Sequence, residues 1–471
     1  MFTVTPQTKR VLSDTITPVT VYLRIRDEFP GSILLESADA RLGDVSSSYI
    51  CFDPVASFRV QDETIYQSFP GGELQESKIN DRLDVERALE EYLSNFKLQT
   101  RGDSPDLING LFGYVGYDAI RYLEDIEIDL GEPTEREQPD VFFQVFRYIV
   151  KIDHYKSEMY LTENRIEGVP SGRFNLEELS YLLQHRDYAT YPFSCSGSER
   201  SNMNDDEFLT MVSRMKEHIA RGDIFQVVPS RRYEQSYRGD DFQVYRSLRS
   251  VNPAPFLFYF DFSNFRIFGS SPEAQVVVQN GKASLYPIAG TCARTGDANI
   301  DAAAIREMKS DPKENAEHVM LVDLARNDLS KSCEDVHVAQ YKEIQAFSHV
   351  IHITSQVTGT ISESRSAVQL LKDTFPMGTL SGAPKHRAMQ LIDDYEKGPR
   401  RNYGGAIGYL GFDGSCTLAI MIRTFLSQDN VLYLQAGAGI VDDSVPEREL
   451  VEVKNKLGAL HASLKAAEDL L

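Results

Sequence analysis

Apolar residues recur along this chain in two rhythms. Phe208, Met211, Met215 and Ile219 follow helical spacing, with Asn204 and Glu207 placed as a capping box before them and Gly222 after. The same spacing predicts helices over 302–308, 314–329, 384–395 and 447–464, the last opened by a second capping box at Ser444-Val445-Pro446-Glu447. Other stretches read as strands. The Phe-, Val- and Ile-rich run 141–152 and the run 158–161 flank the polar turn Asp153-His154, a hairpin pattern. The run 276–286 contains Asn280-Gly281, whose two residues both accept positive φ in a tight hairpin turn. A strand over 224–228 ends at Pro229, and further β-like runs cover 406–410, 418–422 and 431–434. Hairpins with helices inserted between them predict an α+β fold, a large mainly antiparallel sheet core with flanking helices.

Two polar stretches, 168–172 and 194–206, bracket a short amphipathic helix at 176–184. They divide the chain into an N-terminal region 1–165, a connector 166–205 and a larger C-terminal region 206–471.

Composition narrows the function. With 471 residues, 42% of them hydrophobic and 25% charged, the chain can bury a sizeable core. A net charge of −21 argues against nucleic acid, whose phosphates need clustered Lys and Arg, yet one bound cation could still hold a small anion. No run approaches a membrane span and no apolar leader follows Met1, so a cytoplasmic protein is expected. Five scattered cysteines form no paired spacing and read as reduced thiols. Trp is absent beside 23 Tyr and 25 Phe.

Five segments carry possible chemistry. Gly378 to Lys385 imitates a phosphate loop, but three residues rather than four separate the glycines and Pro384 removes a donor, so nucleoside triphosphate binding is rejected. Gln435 to Ile440 contains Gly437-Ala438-Gly439, read as a strand-end turn or as a backbone cradle for an anion. The predicted helix 314–329 has apolar residues nearly all round, which predicts burial, and yet holds Glu317, His318, Asp323, Arg326 and Asp328. Buried carboxylates need a cation, so an internal salt-bridge network and a hard divalent ion both account for them. On the last helix Glu449, Glu452 and Lys456 share a face, which alone reads as a solvated ion-pair surface. His349 and His352 fall on opposite faces of a strand, which excludes a shared metal.

The order of these segments is more specific than any one of them. From about 206 to 456 the chain resembles the chorismate-utilising enzymes, and among them the anthranilate synthase large subunits. The resemblance rests on 223–231, 269–273, 287–291, 316–329, 375–389, 403–409 and 435–456. It implies antiparallel sheets around a deep cleft and Mg²⁺ as cofactor, with Glu317 and Glu452 as metal ligands. It further implies that chorismate is held by Arg423, Tyr403 and the amides of Gly437, Ala438 and Gly439, that Gly290 and Thr291 line the ring, and that Lys456 lies nearby. His352 would assist departure of the ring hydroxyl and Glu273 would aid proton movement, with roles that could be exchanged, and Thr379 would orient the substrate.

Two positions discriminate within that family. Its water-adding members carry Lys where this chain has Gln226, and its aminodeoxychorismate-forming members carry Lys where this chain has Ala289. With neither the general base nor the nucleophile present, the ammonia-adding branch is implied. Residues 34–37 and 252–257 resemble the family's tryptophan feedback site, with Ser37, Pro255, Phe256 and Leu257 as inhibitor contacts. No glutaminase segment is recognisable, so the resemblance implies a separate glutamine amidotransferase subunit as partner.

Overall fold

The computed structural model describes residues 1–37, 47–99, 107–131, 138–346 and 350–470. Its strands join almost wholly antiparallel; among the described residues only Phe2–Leu12 with Phe96–Leu98 is a parallel ladder. One continuous succession of ladders doubles back on itself at the long strands Ser47–Gln61 and Val141–Asp153. Phe256–Asp261 and Phe265–Ser271 lie on one side of the fold-back, with Gly110–Val115, Ala406–Gly411 and Cys416–Ile420 on the other. Phe112, Phe258, Phe260, Phe265, Ile267, Ile407 and Met421 form a buried cluster shared by these strands. Each such side chain contributes roughly 1.5–3 kcal/mol through burial.

Helices cover the outer faces. Pro18–Ile25, Leu176–His185, Asp205–Ala220, Phe242–Val251 and Pro446–Glu468 share one hydrophobic cluster. Leu83–Ser94, Pro312–Ser330 and Ala367–Thr374 share another.

Most predicted elements form. Asn204 accepts from the Glu207 amide at 2.9 Å and Glu207 returns to the Asn204 amide at 2.8 Å, closing the capping box. Asn280 and Gly281 take φ of 51° and 74°, as the tight hairpin requires.

Four readings are corrected. The strand predicted over 224–228 shrinks to Gln226–Val227, which among the described residues pairs with Gly382–Ala383 and is bridged to Ile440. The Ser444 capping box is absent: Val445 is the N-cap, and the Ser444 hydroxyl accepts from the Val441 amide at 3.1 Å instead. The helix Pro312–Ser330 is buried on one face only, through Leu321, Val322, Ala325 and Leu329, while Val319 is exposed. The polar run 194–206 holds a strand, Phe193–Ser201, hydrogen-bonded to Ser230–Gly239, because an edge strand needs only one apolar partner face.

The sheet also crosses the boundaries drawn from sequence. Ile33–Ser37 pairs with Phe256–Asp261, and Gly110–Val115 pairs with Ala406–Gly411.

Candidate active site

Glu273 sits between the strands Phe265–Ser271 and Ala274–Gln279, its carbonyl accepting from the Ile420 amide at 3.0 Å. Its side chain is buried and accepts from the Thr379 hydroxyl at 3.1 Å. Thr379 comes from the short helix Gly378–Ser381, held in place where Val228 donates to the Ser381 carbonyl at 3.0 Å. Burial pushes the Glu273 carboxyl up to about 7, against the opposing pull of Thr379, Arg423 and Lys456. A carboxyl at that value is half protonated near neutrality, which suits proton transfer.

Arg423 precedes the strand Thr424–Gln428 with φ of 49°, a conformation uncommon outside glycine and asparagine. Its guanidinium makes no hydrogen bond or ion pair among the described residues, and burial lowers its pKa, partly offset by Glu273. Such a cation is suited to an incoming carboxylate.

His352 lies on the strand Val350–Ile361, buried, with Nδ1 3.0 Å from the Gly290 carbonyl. A carbonyl only accepts, so Nδ1 carries the proton and Nε2 is left as the basic nitrogen. Burial lowers the histidine pKa, and Arg423 adds to the effect. Gly290 has φ of 68°, and a Cβ there would meet the Met308 sulfur at 3.1 Å. Thr291 lies opposite His352 in the same ladder. His349 lies outside the described residues.

The turn after Val431–Gly437 forms the opposite rim. A Cβ on Gly437 would meet the Pro229 carbonyl at 2.5 Å and the Tyr403 hydroxyl at 3.0 Å; one on Gly439 would meet Gln226 Nε2 at 2.9 Å. The backbone contact excludes a larger side chain at Gly437, whereas one at Gly439 would displace the tip of Gln226. The Ala438 amide donates to the Pro229 carbonyl at 3.1 Å, so it is not free for a ligand, and the predicted role of that amide is corrected. Lys456 donates to the Gly437 carbonyl at 2.9 Å and pairs with Glu452 at 2.7 Å. Gln226 Nε2 reaches Glu317 at 3.5 Å. Glu317 and Glu452 thus border one glycine turn from two helices.

For a divalent ion these two carboxylates supply hard oxygen donors and match its charge. Among the described residues no cluster of three or more His, Cys, Asp or Glu could hold a metal, so water and substrate oxygens would complete any shell. Asp328, by contrast, follows the internal salt-bridge reading: it pairs with Lys385 at 2.8 Å and Lys331 at 3.6 Å.

Sequence reasoning missed the support beneath Tyr403. Asp118, buried in Tyr117–Tyr122, accepts from the Arg400 and Arg401 amides at 3.3 and 2.7 Å, and Tyr117 lies against the Arg400 guanidinium. Burial raises the Asp118 carboxyl to about 7. No local pattern marks residues paired across 282 positions.

The predicted feedback residues meet at a separate cavity of about 690 Å³ including its mouth, lined by Ser37, Phe256 and Leu257 with Tyr49, Tyr409 and Gln279. Pro255 is buried beside it and does not line it. Glu36, also in its lining, accepts from Tyr245 at 2.7 Å and Arg249 at 2.8 Å.

A buried carboxyl near neutrality and an arginine with no side-chain partner among the described residues, beside a glycine-built rim, make a site suited to an anionic ligand. The chain belongs to the family of chorismate binding enzymes, which it matches over residues 32–462. It is similar to anthranilate synthase component 1 of Lactococcus lactis subsp. lactis (strain IL1403), 36% identical over 96% of this chain and 98% of that protein. It is also similar to anthranilate synthase component 1 of Pseudomonas aeruginosa, 35% identical over 98% of this chain and 96% of that one. Among solved structures it superposes on anthranilate synthase component I from Streptococcus pneumoniae TIGR4, with TM-score 0.76, 32% identity, and 96% and 99% of the two chains covered. The menaquinone-specific isochorismate synthase of Escherichia coli shares the fold at TM-score 0.72 and 18% identity. No helix among the described residues is long and apolar enough to cross a membrane.

Proposed function

We infer that the chain converts chorismate and ammonia to anthranilate and pyruvate, as the large subunit of a cytoplasmic enzyme of tryptophan synthesis. The observation that carries this reading is the meeting of Glu273, His352 and Arg423 around one site that lacks both lysines of the rival chemistries. Gln226 stands where a general base would activate water, and Ala289, buried opposite Ile353, offers no nucleophile.

Arg423, the Tyr403 hydroxyl and the turn 437–439 hold the enolpyruvyl carboxylate, which leaves the ring carboxylate for a metal. Mg²⁺, held by Glu317 and Glu452, would neutralise that ring carboxylate. Glu273, protonated for about half the time near pH 7, gives its proton to the departing C4 hydroxyl as ammonia adds at C2. His352, neutral and with Nε2 basic, takes the C2 proton as pyruvate leaves and the ring becomes aromatic. Ammonia needs only to be neutral and well placed; a glutamine amidotransferase subunit would supply it. The cavity at Ser37, Phe256 and Leu257 would receive tryptophan as feedback inhibitor.

The chain incubated with chorismate, ammonium and Mg²⁺ should yield fluorescent anthranilate; formation of 4-amino-4-deoxychorismate, or no turnover, would overturn the assignment. Arg423→Ala leaves the substrate carboxylate unpaired and should lower kcat/KM by roughly two to three decades. Near-normal kcat/KM would remove Arg423 from the substrate pose.

A further inference from the structure

Tyr403 also lines a second cavity, about 420 Å³ including its mouth, with walls from Ser230–Gly239, Thr424–Gln428, Val431–Gly437 and residues 400–402. Its charged lining is three arginines, Arg232, Arg400 and Arg401, joined by the neutral polar side chains of Asn402, Gln435, Thr424, Tyr403 and Tyr433. The hydrogen bonds of the arginines, Asn402 and Gln435 can be accounted for one by one. Arg400 is saturated by Glu396 and by the Leu380 and Val228 carbonyls at 2.7 and 2.6 Å. Gln435 donates to the Ser230 hydroxyl at 2.7 Å.

The others are not satisfied. Arg232 gives one Nη to the Pro399 carbonyl at 3.3 Å, but its Nε is buried without a hydrogen bond and the nearest carboxylate, Glu234, stands 3.9 Å off. Arg401 makes no side-chain hydrogen bond or ion pair among the described residues; only its backbone is held, the amide by Asp118 and the carbonyl by the Tyr117 amide. Asn402 is 6% exposed and its Nδ2 is buried without a partner. Burial and the neighbouring Arg401 both lower the Arg232 pKa, so the two guanidiniums repel each other. No carboxylate lines the cavity itself among the described residues; Glu396 and Asp118 behind it already accept from Arg400 and from backbone amides, and Asp140 in the adjoining cavity that Arg401 and Asn402 share with Asp62 and Glu63 is paired with Arg121. In a chain of net charge −21, donors left without acceptors beside surplus positive charge are costly when empty and are relieved by an anion.

We propose that this cavity is a second anion site, lined by Arg232, Arg401 and Asn402, for the carboxylate of a small organic acid, and that its occupant is the pyruvate released by the reaction. The anion class stands on the lining alone; the choice of pyruvate rests on the reaction inferred above. Tyr403 is common to both sites, so a three-carbon acid freed at Arg423 has a basic cavity next to it. Guanidinium and carboxylate match as a planar pair, which favours a carboxylate over a point anion.

Calorimetric titration of the full chain, without chorismate, with pyruvate and separately with inorganic phosphate tests this. Pyruvate should bind more tightly than phosphate, and Arg401→Asn should weaken it about ten- to a hundredfold. Arg401 has φ of 54°, which asparagine accepts, so this variant keeps its backbone; Arg232→Gln with an unchanged melting temperature is the second probe. Arg423→Ala should leave pyruvate binding in place. Loss of binding in Arg423→Ala with retention in Arg401→Asn would put the acid in the substrate site and overturn the proposal. Equal binding of phosphate, or no binding of pyruvate, would overturn it too. The anthranilate assay is independent: pyruvate binding through Arg401 in a chain that makes no anthranilate would keep the anion site and refute the product assignment.

Discussion

Glu273 is where a single residue sets the pH behaviour. Its carboxyl titrates near 4.5 in an unfolded chain and at about 7 in the folded one, chiefly through burial. A raised pKa means that its contribution to stability is fully present below about 4.5 and is lost as pH rises through 7. Glu273→Gln abolishes that loss. The variant should be more stable than the parent by roughly 2–4 kcal/mol at pH 8, with the gap closing toward pH 5, as denaturant midpoints at the two pH values would show. The same change removes the proposed proton donor, so kcat should fall by roughly 10²–10⁴, and the limb of the parent's kcat profile that falls above about pH 7 should disappear. A more active and less stable variant would contradict both halves. Little of this is legible locally. The block around Glu273 marks the residue by resemblance, but its partner Thr379 lies 106 positions on, and nothing in the letters around Arg423 announces a positive φ.

Among elements, the helix Pro312–Ser330 shows how a pattern misleads and what corrects it. Apolar residues distributed all round read as full burial, yet one face meets the sheet and Val319 faces solvent. Its acidic residues divide by environment. Asp323 pairs with Arg326 at the surface, Glu317 turns toward Gln226, and Asp328 is locked to Lys385 on the helix Lys385–Tyr395. That last pair fixes the helix bearing Glu317 to the segment that follows Thr379. Lys385→Met leaves Asp328 buried without its main cation and should cost about 3–5 kcal/mol in chemical denaturation. Adding Asp328→Asn should recover part of the loss; additive losses would mean that the pair is not coupled. Helices and hairpins were largely legible, because periods of 3.6 and 2 survive wherever one face is buried. The failures sit at Ser444 and at 224–228, where a hydroxyl chose a different amide and a strand was cut short by its short partner.

For the whole molecule, the absence of Trp gives the proposed tryptophan site a direct optical test. The chain has no indole of its own, so red-edge excitation of a mixture with tryptophan reports only the ligand. Its anisotropy should rise on binding, and Phe256→Asp, which places a charge in the cavity wall, should abolish the rise while anthranilate formation continues. An unchanged anisotropy in the parent would remove tryptophan from that cavity. Under the proposed role in tryptophan synthesis, the missing Trp also means that translating the chain does not consume that amino acid.

The two ladders that join early strands to late ones carry a further consequence, for how the chain tolerates being cut. A break in the exposed 167–172 segment leaves each fragment with two bare sheet edges, Ile33–Ser37 and Gly110–Val115 on one, Phe256–Asp261 and Ala406–Gly411 on the other. Unpaired, apolar edges of that length template aggregation. Each half made alone should therefore precipitate. Made together, the halves should zip along both seams into one soluble, active particle, and recovery of either half alone as a folded monomer would show that the seams are dispensable. What evolution wrote as one polypeptide behaves, mechanically, as two interlocked combs.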